Sequence, residues 1–116
     1  MLRSSLRAPA ALVVVGLLSA GCFPKVAAVP PALSASSVTR ASARWPGVTP
    51  EALAMGRDRF VAKCNGCHGY PDLRAIAEER WPGLVAEMGK KANLGDAERD
   101  AVLHFILASR QEQAAP

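Results

Sequence analysis

Cys64-Asn65-Gly66-Cys67-His68 sets two thiols two residues apart, with an imidazole directly after the second. Several chemistries use such a pair, and its surroundings discriminate among them. A zinc ribbon would need a second pair of ligands, and His104, the other histidine, does not supply one. A thioredoxin-like redox dithiol would follow a β-strand in an α/β pattern. The residues before Cys64 instead carry Lys and Arg at helical spacing, and no alternating apolar pattern is found anywhere in residues 48–112.

The chemistry that remains is covalent haem attachment, for which C-x-x-C-H is the spacing. Two thiols separated by two residues reach the two vinyl groups on one porphyrin edge, and the adjacent histidine turns beneath the ring to ligate iron. Cys64 and Cys67 are therefore expected to hold one haem c, with His68 as the proximal axial ligand. Composition points the same way. Half of the 116 residues are hydrophobic but only 5% are aromatic, and much of the apolar count is Ala, Val and Leu in the first third. So small a domain needs a staple, and a large apolar cofactor provides a centre that these side chains do not. The apoprotein is expected to be largely unfolded.

Upstream, residues 1–21 read as an export signal: Arg3 and Arg7 precede an apolar run, Ala10 to Leu18, too short to span a bilayer. The run ends in Leu18-Ser19-Ala20-Gly21-Cys22, which resembles the lipobox of bacterial lipoproteins, although Ser19 stands where an aliphatic residue is usual. That resemblance implies acylation of Cys22 and a place on the periplasmic face of a membrane. Phe23 in place of Asp slightly favours the outer one. With lipid on Cys22 and thioethers on the other two, none of the 3 cysteines is left for a disulfide. Residues 22–47, rich in Pro, Ala, Ser and Val without an acidic residue, read as a flexible linker. The folded part then holds nine Lys and Arg against all ten acidic residues. No basic patch interleaved with aromatics is present, so nucleic-acid binding is not expected.

Helices are expected to account for the rest. Thr49, Pro50 and Glu51 form a capped start to a helix running to about 64, with Leu53, Gly56, Phe60 and Cys64 on its inner face. A second, about 79–92, carries Trp81, Leu84, Val85, Met88 and Ala92 along one stripe, with Glu87 and Lys90 pointing away. A methionine on an apolar face is ordinarily core filler. Facing a haem, Met88 becomes the candidate distal ligand, with Trp81 and Val85 as haem contacts. Met55, on the incoming helix, is a poor candidate. His104 is the competitor, on a last helix expected over about 96–109, but its stripe with Asp96, Asp100 and Gln111 reads as solvent-facing. Glu98 is placed to reach back to the start of that helix. Residues 113–116 read as a disordered tail.

From 48 to about 110 the chain resembles the class I cytochromes c. Gly56 and Phe60 match the family's first-helix glycine and aromatic, Phe105 its last-helix aromatic, and Leu94-Gly95-Asp96-Ala97-Glu98 its leucine-led start to that helix. Pro71 matches by position the proline that steadies the proximal histidine. The resemblance implies an all-α fold of three to four helices around one haem, and a monomer. Met88 follows His68 by only 20 positions, which implies short loops and an exposed haem edge. The implied function is single-electron transfer between redox protein partners, without catalysis. An open or displaceable sixth iron position would instead make a small-ligand sensor or a peroxide-reducing domain. The stripe over the iron offers little polar acid-base chemistry for that.

Overall fold

Thr49 and Pro50 start a helix as their chemistry requires. In a computed structural model, which describes residues 25–26, 28–65 and 69–116, the Thr49 hydroxyl accepts the Ala52 N–H at 3.1 Å. The chain is mostly helical, with four α-helices among the described residues: α1 (Ala35–Arg44), α2 (Pro50–Lys63), α3 (Trp81–Lys91) and α4 (Asp96–Ala114). A short 3₁₀ turn, Glu78–Arg80, leads into α3. The strand content described is a single pair of two-residue segments, β1 (Lys25–Val26) antiparallel to β2 (Tyr70–Pro71), with Lys25 opposite Pro71 and Val26 opposite Tyr70. The expected all-α class therefore holds. No helix among the described residues is long and apolar enough to cross a membrane.

The spine is the packing of α2 on α4. Gly56 makes it possible, because a Cβ there would stand 2.1 Å from the Ala101 carbonyl oxygen, so the two backbones touch where a side chain is missing. One turn on, the rings of Phe60 and Phe105 lie 5.8 Å apart at 53°, and Tyr70 stacks on the other side of Phe60 at 5.8 Å. Both phenylalanines are buried, and burial of each is worth about 1.5–3 kcal/mol. Tyr70 Oη donates to the Val61 carbonyl at 3.1 Å, which ties β2 to α2. Leu73, Ile76, Trp81, Val85, Leu94, Val102 and Ile106 complete the main core.

Two expectations need correction. The first concerns the linker: within residues 22–47, Ala35–Arg44 is not flexible chain but helix α1, capped by the Ser34 hydroxyl on the Ser37 N–H. Its small residues are the reason. Ser37 and Ala41 are buried, and Ala41 forms a second core with Leu53 and Ala108, flanked by Leu33, Val38 and Trp45. Small side chains allow a helix to lie close against others, and such packing overrides a composition that looks unstructured. The second correction is length. α4 continues five residues past 109, as far as Ala114, because its last turns hold the loop after β2. Arg110 Nη1 donates to the Leu73 and Ile76 carbonyls, the latter at 2.5 Å, and Arg74 Nη1 to the Gln113 carbonyl at 3.1 Å. The tail is shorter accordingly. Residues 1–21, with Cys22, lie outside the described residues.

Candidate functional site

α2, β2, α3 and α4 enclose a cavity of about 500 Å³, within the size range of cofactor sites, about 300–1,000 Å³. The end of α2 brings Phe60, Lys63 and Cys64 to it, and β2 brings Pro71. α3 brings Trp81, Val85, Met88, Gly89 and Lys91; the turn after α3 and the body of α4 bring Ala92, Leu94, Val102 and Ile106. Five of the residues singled out from the sequence thus converge: Cys64, Pro71, Trp81, Val85 and Met88. Cys67 and His68 lie outside the described residues. The described chain resumes at Gly69, immediately before β2.

The wall is chemically uneven in an informative way. Most of it is apolar, and its only charged members among the described residues are Lys63 and Lys91, both exposed and hence at the mouth. Deeper, Trp81 is 3% exposed and its indole Nε1–H is buried without a hydrogen-bond partner. A buried donor of this kind ordinarily finds an acceptor. Met88, by contrast, is 41% exposed, a large apolar side chain at the cavity. Burial pushes the Cys64 thiol up to about 11. A thiol so raised stays protonated near neutrality, whereas redox-active dithiols depend on a lowered value.

His104 is placed elsewhere. It is half-buried, its ring 5.1 Å from that of Trp45 at 56°, and the Arg44 guanidinium lies 4.6 Å over the other partner's indole. The surface position expected for it is thus partly covered by the end of α1, and it does not line the cavity. Met55 does not line it either. No group of three or more His, Cys, Asp or Glu gathers among the described residues. Lys63 and Lys91 were missed because a lysine in the last turn of a helix already has a sufficient reason in the helix dipole. Val102 and Ile106 carried a signal, four residues apart on the apolar face of α4, but it reads equally as helix packing. No protein-family model, curated protein or solved structure matches the chain.

Proposed function

We propose that the chain is a monohaem c-type cytochrome domain that carries single electrons on the periplasmic side of a bacterial membrane, tethered by lipid on Cys22. The observation that carries this reading is the convergence of Cys64 and Met88 on one large apolar cavity that the polypeptide does not fill. They come from different elements, and a shared ligand is a reason for a half-exposed methionine and a thiol of a C-x-x-C-H motif to line one cavity. The residues present fit the group. The lining is apolar, as a porphyrin face requires. The touching of α2 and α4 at Gly56, with Phe60 against Phe105, is also what the resemblance to class I cytochromes c implies.

In this reading Cys64 and Cys67 hold the haem by thioether bonds, His68 and Met88 bind its iron, and Pro71, Trp81 and Val85 pack against it. When bound, haem supplies a one-electron couple whose potential a methionine ligand raises. The chain's own part is to exclude water and hold the ligands: Tyr70 and Arg110 fix the segment that leads away from His68, and α2 and α4 fix Cys64. The lining contains no carboxylate or imidazole among the described residues, which disfavours the peroxide-reducing alternative, since that chemistry wants an acid-base group. A reduced-state optical spectrum with and without carbon monoxide separates the two. The carrier reading expects an unchanged low-spin spectrum, and prompt carbon monoxide binding would overturn it in favour of a displaceable sixth position.

A further inference from the structure

The folding of the supposed linker onto the domain fixes how far a lipid on Cys22 stands from the cavity. Pro30 is buried, and its carbonyl accepts from Arg57 Nε at 3.0 Å. The Ser34 N–H donates to the Glu112 carboxylate at 3.1 Å, and α1 lies on α4. Further upstream, Lys25 stands opposite Pro71, a wall residue of the cavity, in the β1–β2 pair. Lys25 follows Cys22 by three positions, and three extended residues reach about 10 Å. A free linker over residues 22–47 would instead have an r.m.s. span of roughly 25–30 Å and would let the domain tumble above the membrane. The leash is short, and it begins beside the cavity.

Two lysines stand at the cavity on the same side, with Glu98 near Lys63 and Glu87 beside Lys91. Lys63 and Lys91 are exposed at the cavity mouth, and no carboxylate lines it among the described residues. Lys91 meets Glu87 at 3.0 Å, but both side chains are largely exposed, so that pair holds the ammonium weakly. We propose that the mouth of this cavity rests against an anionic bilayer, with the lipid on Cys22 holding it there and Lys63 and Lys91 meeting headgroup phosphates. The inference rests on the lipoprotein reading of Cys22 and deepens the proposed function by giving the tethered domain an orientation.

The test begins with the haem-loaded Cys22→Ser protein, which lacks the anchor, sedimented at low salt with phosphatidylcholine vesicles with or without phosphatidylglycerol. Binding is expected on the anionic vesicles alone, weakened about fivefold by Lys63→Gln and again by Lys91→Gln. Equal binding to both vesicles, or binding indifferent to these substitutions, would overturn the proposal. The acylated full chain is then placed in anionic vesicles with a nitroxide on Lys90→Cys, beside the mouth, or on Thr39→Cys, on α1. Relaxation by a lipid-borne nickel chelate should be stronger at 90 than at 39, and a flexible Gly/Ser insert between Pro24 and Lys25 should abolish the difference. Equal relaxation without the insert contradicts the arrangement. Mass spectrometry of the membrane-recovered protein reports acylation separately: an unmodified Cys22 removes the anchor, and with it the proposal, while leaving the haem reading intact.

Discussion

At Cys64 a half-buried thiol and a large apolar cavity meet, and the chemistry of that sulfur decides between readings. If it is a thioether, it has no proton to lose, and a titration of the haem-loaded protein by thiolate absorbance should show no step for it. A haem-free chain holding this fold would release the Cys64 proton only near 11, and an unfolded one near the ordinary 9.0. Met88 makes a second residue-scale prediction. Replacing it with alanine should retain haem, lower the reduction potential and leave a sixth position that binds carbon monoxide. A Met88→Ala protein with unchanged potential and no carbon monoxide binding would remove Met88 from the iron. Of the site, Cys64, Trp81, Val85 and Met88 were legible in the sequence because motif spacing and helical periodicity each fix a direction, whereas Pro71 came from the resemblance to class I cytochromes c alone. The lysines at the mouth were not, since an exposed charge at a helix end has no periodic signature.

Among the elements, the contact of α2 with α4 bears the most weight, and Gly56 is where it is most sensitive. Gly56→Ala should destabilise the haem-loaded protein by about 1–3 kcal/mol or more in denaturant unfolding, because the added methyl meets backbone that has no rotamer to yield. An unchanged midpoint would mean the helices are not in contact there. This contact was readable from the sequence through the resemblance to class I cytochromes c, which matches Gly56 and Phe60 on the first helix and Phe105 on the last. α1 was not: the Ser34 cap and the spacing of Val38, Ala41 and Trp45 are present, but the composition around them is that of a linker, and only docking on α4 makes it a helix. Its attachment should respond to acid. The Ser34 side chain and N–H hold the Glu112 carboxyl below the usual range. A carboxyl lowered by folding contributes stability above its unfolded pKa, and that contribution is lost as pH falls through the folded value. Protection of the α1 amides, relative to their intrinsic exchange at each pH, should therefore fall below the ordinary carboxylate range, and Glu112→Gln should remove that acid response.

Taken whole, the described residues form four helices, three of which, with β2, surround a space they do not fill, with a thiol and a methionine on its wall. A polypeptide with few aromatics closes such a space poorly, so the stability of the domain should depend on what occupies it. Cys64→Ser with Cys67→Ser, expressed in a host equipped for haem attachment, should yield a chain without bound haem that is digested readily by proteases. Equal resistance with and without the thiols would show that the core is sufficient by itself. The most direct measurement of the central claim is a haem stain of the mature protein after denaturing electrophoresis, with its intact mass. The account predicts a stained band and the added mass of one haem. An unstained band from a compactly folded protein that retains free thiols at Cys64 and Cys67 would contradict it.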